Sequence, residues 1–222
     1  MCGRYSQTKD IETLQGRFKI ELDDNVYVPR YNIAPTQNVL TVVPGDNQNI
    51  GQYMKWGLIP SWAKDISIGQ KMINARAETL AEKPAFRNAL RKRRCLVLAD
   101  GFYEWKHERS RKVPMRIHLR GNEPFAFAGL YETWKSPTGE VILSCTIITT
   151  TPNELMATIH NRMPVILSPD TESLWLDQSL DDPLFLQQLL SPYLTEAMDA
   201  YQVSSLVNSP RFDTPDCIAP AV

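Results

Sequence analysis

Sixteen prolines spread from Pro29 to Pro220 limit this chain more than any other feature. Inside a helix a proline removes a hydrogen bond and collides with the preceding turn, so this spacing forbids long helices. Residues 31–62, with NIAP, VVPGDNQN and GLIPSW, alternate β-prone runs with Pro, Gly and Asn, which predicts short strands and loops. A hydrophobic share of 43% in 222 residues suffices for a buried core and excludes disordered, collagen-like and coiled-coil chains. Neither an internal repeat nor a low-complexity linker divides the sequence. One α+β domain over residues 1–222, built on antiparallel sheets, is expected.

Local patterns place the elements. Ile11, Leu14 and Phe18 form a helical stripe after the candidate caps Ser6 and Thr8. Residues 79–94 open with Thr79 and Glu82 at capping-box spacing and close in the basic run RKRR, which predicts a second helix. CLVLA, FYEW and MRIHLR follow as strands; in the last, Arg116, His118 and Arg120 are expected on a wet, basic face. FAFAGLYETW and VILSCTIITT, joined by SPTGE, predict an antiparallel hairpin. Three proline-initiated helices are expected after Thr151, Ser168 and Asp182.

Charge is balanced in total, 24 basic against 25 acidic residues, but not along the chain. Residues 83–120 hold twelve basic and three acidic side chains, and residues 121–222 hold three basic and thirteen acidic. Such a segment either presents a positive face to a polyanion or forms a solvated helix surface and a basic hairpin. Four widely spaced cysteines, without a CxxC pair or matching histidines, argue against a metal site and for free thiols in a reducing, cytoplasmic compartment. No segment has the apolar length of a signal or membrane helix.

Several residues invite chemistry, each with a plainer alternative. Removal of Met1 would leave Cys2 with an α-amine and a thiol on one carbon skeleton, both titrating near neutrality, at about 8 and 8.5; alternatively Cys2 is a small buried hydrophobe. Glu104 sits between aromatics in DGFYEW, where desolvation suits a carboxyl to proton donation, unless strand alternation turns it to solvent. His160 in ATIHNRMP is a loop imidazole fit for acid or base work, or a simple polar contact. Asn74 and Arg76 in INARAET share one strand face. Arg4, Arg76 and Arg162 can hold phosphates, and Trp62 and Trp105 can stack unpaired bases or fill a core. Pro35 in NIAP stiffens a site rim or shapes a turn.

MCGR at the terminus, YNIAP, WGLIPSW, INARAET, RCLVLADGFYEW and IHNRMPVIL occur in this order over residues 1–167. This ordered set resembles the SRAP family, the SOS-response-associated peptidase domain proteins. The resemblance implies a barrel-like sheet core with flanking short helices. It also implies a monomer, nucleoid-associated if bacterial, that binds single-stranded DNA and joins covalently to an abasic site. No cofactor or metal is implied. The family's nucleophile falls on Cys2, its site partners on Asn74, Glu104 and His160, and its DNA contacts on Arg4, Arg76 and Arg162, with Pro35, Trp62 and Trp105 at the DNA rim. Where some members carry a second aromatic after PSW, this chain has Ala63. The expected product is a thiazolidine, with weak lyase activity from the shared Schiff base. The competing readings are an N-terminal-nucleophile cysteine peptidase that releases its own Met1, and a simple single-strand binding module.

Overall fold

A computed structural model describes residues 2–22, 27–109 and 111–221. In chain order they form β1 (Tyr5–Gln7), α1 (Ile11–Phe18), β2 (Ile20–Glu21), β3 (Arg30–Ile33), β4 (Asn38–Val43), β5 (Asn49–Trp56), β6 (Asn74–Arg76), α2 (Arg87–Lys92), β7 (Arg94–Ala99), β8 (Gly101–Glu108) and β9 (Arg111–Leu119). There follow β10 (Phe125–Lys135), β11 (Val141–Thr150), α3 (Glu154–Ala157), β12 (Met163–Pro164), β13 (Ile166–Leu167), α4 (Pro169–Leu176), α5 (Pro183–Gln188) and β14 (Met198–Gln202). No helix among the described residues is long and apolar enough to cross a membrane.

Five strands close on themselves. In the order β5, β4, β7, β10, β11 they are antiparallel neighbours, and β11 returns to β5 through a parallel pairing of Ser144 with Lys55 and Cys145 with Trp56. Closure removes the exposed edges that an open sheet presents. A second sheet, ordered β14, β9, β8, β1, β3, packs beside it. The fold is thus α+β with a barrel core, and parallel pairing is confined to β11 with β5 and β6 and to β2 with β5.

Strand alternation explains why CLVLA reads as a continuous apolar run: both faces are covered. Cys95, Val97 and Ala99 join a cluster with Tyr5, Trp56, Phe102 and Phe127, shared between barrel and second sheet. Leu96 and Leu98 join the opposite cluster, with Leu14 and Phe18 of α1, Leu90 of α2 and Trp175 of α4. In the first cluster Tyr5 meets Trp56 edge-on at 5.3 Å and Phe127 at 5.7 Å, a packing geometry favoured by ring quadrupoles. α1, α2, α4 and α5 clothe one side of the barrel, and the N-terminal segment packs with α3 on the other.

Local rules erred where distant partners competed. The cap of α1 is Asp10, whose side chain accepts from Thr13 N at 2.7 Å; Ser6 and Thr8 instead hydrogen-bond the Asp100 carboxylate. The Thr79 and Glu82 capping box does not form, because Lys83 precedes Pro84 and is disfavoured in the helical region, so α2 begins only at Arg87. Asn153, not Thr151, caps α3, accepting from Met156 N at 2.9 Å. Ser168 and Asp182 cap α4 and α5 ahead of their prolines as expected.

Of the three residues expected on a wet basic face, Arg120 is exposed but the other two are covered. Arg116 and His118 are 5% and 9% exposed, because β14 arrives from the tail and lays Tyr201 against both. Arg116 donates to Tyr201 Oη at 3.2 Å and to Asp100 Oδ1 at 3.3 Å. Gly101 makes room for it, since a Cβ there would lie 2.7 Å from the guanidinium carbon. Of the twelve basic side chains in residues 83–120, Arg94 and Arg116 are buried and most of the others face solvent.

Candidate active site

β1 runs between β3 and β8 with Tyr5 opposite Ile33 and Phe102. Tyr103 N donates to Arg4 O at 2.9 Å, so the same register carries the first residues alongside Tyr103 and Glu104. Cys2 is fully buried there. Asn74, on β6, donates from Nδ2 to the Cys2 carbonyl at 2.7 Å, while β6 itself is held by β11 with Asn74 opposite Ile147 and Arg76 opposite Thr149. Asn74 and Arg76 flank buried Ala75 and share a face, as the alternation predicts. Asn74 Oδ1 is buried and has no hydrogen-bond partner among the described residues, an acceptor suited to an amine or hydroxyl.

Glu104 is 3% exposed, so its strand turns it inward. Burial, and after it the Glu104 carboxylate, push the Cys2 thiol up, which keeps the sulfur protonated in a chain that still carries a residue before it. Met1 lies outside the described residues. Glu104 and His160 line one cleft of ≈ 400 Å³, together with Trp105, His107, Lys112 and Asn208. His160 follows α3, its backbone N–H bonded to Met156 O at 2.7 Å. Its Nδ1 lies 3.1 Å from Arg162 N and 3.3 Å from Arg162 O, so the backbone of the loop holds the ring in place.

The other candidates are dispersed around this cleft. Trp105 donates from Nε1 to Asn208 Oδ1 at 2.7 Å and forms part of the wall. Arg76 is exposed. Arg4 is tied inward, to Asn32 Oδ1 at 2.8 Å and Val207 O at 2.7 Å. Arg162 forks onto Glu78 at 2.6 and 3.0 Å and also reaches Thr149 O at 2.6 Å. Trp62 is 60% exposed over a separate depression bordered by Lys64 and Lys71. Pro35 shapes the turn from Ala34 to Gln37, where Thr36 takes a positive φ of 73°, and does not line the cleft. No group of three or more His, Cys, Asp or Glu among the described residues is arranged to hold a metal ion.

Sequence reasoning missed Asn208, Lys112, Asn32 and Glu78. Asn32 holds the tail, donating from Nδ2 to Ser209 O at 3.0 Å and Phe212 O at 2.6 Å. That contact brings Asn208 over the cleft from 100 residues beyond Trp105, and no local pattern encodes it. Glu78 was the legible one, two residues after Arg76 in NARAE.

The chain presents a closed-barrel α+β fold in which an asparagine clamps the carbonyl of the second residue and a buried carboxyl acts on its thiol. The chain matches SOS response associated peptidase (SRAP) over residues 1–210 and belongs to that family. It is 53% identical over 222 residues to the abasic site processing protein YoqW of Bacillus subtilis (strain 168), covering 98% of this chain and 99% of that one. It is 32% identical to the abasic site processing protein HMCES of Xenopus tropicalis, covering 89% of this chain and 68% of that one. A crystal structure from Bacteroides thetaiotaomicron superposes with a TM-score of 0.90 at 31% identity over the whole of both chains.

Proposed function

We propose that this chain processes abasic sites by binding single-stranded DNA and trapping the damaged sugar on Cys2 as a thiazolidine. The observation that carries the reading is the 2.7 Å bond from Asn74 to the Cys2 carbonyl, with the Glu104 carboxylate close enough to act on the thiol. These groups gather around the one residue able to supply a 1,2-aminothiol.

Hydrolysis of the Met1–Cys2 bond frees the amine. An abasic deoxyribose is mostly a closed hemiacetal, so ring opening comes first: the Glu104 carboxylate takes the proton of the anomeric hydroxyl and delivers it to the ring oxygen as the bond from that oxygen to the anomeric carbon breaks, leaving an aldehyde. The amine adds to that carbon and water departs, giving a Schiff base. The thiol then adds to the same carbon, and its proton ends on nitrogen. Sugar and aminothiol become thiazolidine plus one water. Ring closure is intramolecular, with effective molarities on the order of 10⁵ M or more. In the chain that still carries Met1, burial holds the thiol protonated, which is not the activated thiolate that a cysteine peptidase needs to release Met1 itself. Asn74 Oδ1 orients the amine, and His160 across the cleft shuttles protons.

Arg76, exposed beside Asn74, supports a phosphate contact, and exposed Trp62 offers a stacking surface. The test is incubation of the Met1-processed protein with a single-stranded oligonucleotide bearing one abasic site. The expected result is a denaturant-stable adduct whose mass equals that of protein plus DNA less one water. Absence of that adduct, or an equal yield from protein that retains Met1, overturns the proposal.

A further inference from the structure

Resting on the single-strand reading above, we propose that Glu78 holds the place of a DNA backbone phosphate between Arg162 and Arg76, keeping contact with intact strands weak so that only the covalent step retains the protein. The carboxylate receives both guanidinium nitrogens of Arg162, at 2.6 and 3.0 Å. That fork is the one in which arginine grips two phosphate oxygens. Arg76 lies opposite Thr149 in the strand register, and the Arg162 guanidinium donates to Thr149 O at 2.6 Å, so both cations converge on one residue of β11. Glu78 is held below the ordinary carboxylate range first by its bond to Arg162, and the charge of Arg76 adds to this.

Exchangeability separates this pair from a structural one. The Glu78 side chain is 47% exposed and that of Arg162 only 13%. When Glu78 swings into water, Thr149 keeps the guanidinium in position with its donors presented to the arriving phosphate. A strand must therefore displace a carboxylate already in place, and each such exchange releases less bound cation than filling an empty site would.

The experiment measures binding of the full chain to an undamaged single-stranded oligonucleotide by fluorescence anisotropy across a salt series. Glu78→Gln is nearly isosteric and keeps an acceptor for Arg162. It is expected to bind about two- to fivefold more tightly, the range of a partly exposed ion pair. Its log K against log salt slope steepens by up to about 0.7, the value for one more single-strand phosphate neutralised. Glu78→Asp, which retains the charge, keeps the wild-type slope. Unchanged or weaker binding by Glu78→Gln overturns the inference, because Glu78 then merely positions Arg162. If that happens while the wild-type chain still forms the abasic adduct, the proposed function stands and this inference alone falls; a wild-type chain that neither binds nor forms an adduct removes both.

Discussion

Arg94, fully buried at the start of β7, and Arg162, half-buried against β11, face different kinds of partner. On the helix-clad side Arg94, fully buried, donates to the carbonyls of Leu90 and Arg91 at the end of α2 and of Trp175 and Asp177 at the end of α4. It neutralises two helix C-termini at once. On the open side Arg162 donates to the carbonyl and hydroxyl of Thr149 and to one half-exposed carboxylate. Backbone carbonyls cannot leave; a side chain can. Whether a buried cation is structural or recruits a ligand is decided by the mobility of what faces it.

Four perturbations test that division. Cys2→Ala on the open side removes the only aminothiol, so no denaturant-stable adduct is expected at any incubation time; a surviving adduct would relocate the chemistry. Arg94→Ala on the clad side leaves four carbonyls without their donor, and a loss of about 3 kcal/mol or more is expected in urea unfolding. A loss below about 1 kcal/mol would place Arg94 in the same category as Arg162.

Three buried thiols, Cys2, Cys95 and Cys145, lie in the cluster away from the helix-clad side and give it a pH test. Burial raises Cys2, Cys95 and Cys145, so above the unfolded value of about 8.5 the unfolded chain sheds protons that the folded chain keeps. Stability is therefore complete below about pH 8.5 and falls as pH rises, by up to about 1.4 kcal/mol per unit for each thiol. Urea midpoints between about pH 8 and 10 should drop in the wild-type chain and drop less in Cys145→Ala; parallel curves would contradict the assignment. The smallest effect is expected at Trp62. Trp62→Ala should weaken single-strand binding by about 1 kcal/mol, roughly fivefold, while unfolding moves by less than about 0.5 kcal/mol. A larger shift in unfolding than in binding would make that side chain part of the packing.

Much of the fold was legible because it is local. The β10–β11 hairpin, the prolines at the start of α4 and α5, and the Ile11–Leu14–Phe18 stripe follow from turn chemistry and periodicity alone. Ser6 and Arg116 each carried a sound local signal that a distant partner overrode, Asp100 for Ser6 and Tyr201 of the tail for Arg116, whereas Thr79 lost to the nearby Pro84. In the site, motif order singled out Cys2, Asn74, Glu104 and His160, yet only β1 pairing with β8 and β6 pairing with β11 brings Asn74 onto the Cys2 carbonyl.

By itself the amino-acid order determined the short elements, the free thiols and the residue types able to do chemistry, since these depend on backbone sterics and on functional groups that no environment removes. The tertiary structure alone decided which cations are saturated and which are exchangeable, and which carboxyl lies next to the thiol. Those outcomes rest on contacts between residues 70 to 200 positions apart, whose strength depends on burial and on the competition among partners that folding assembles.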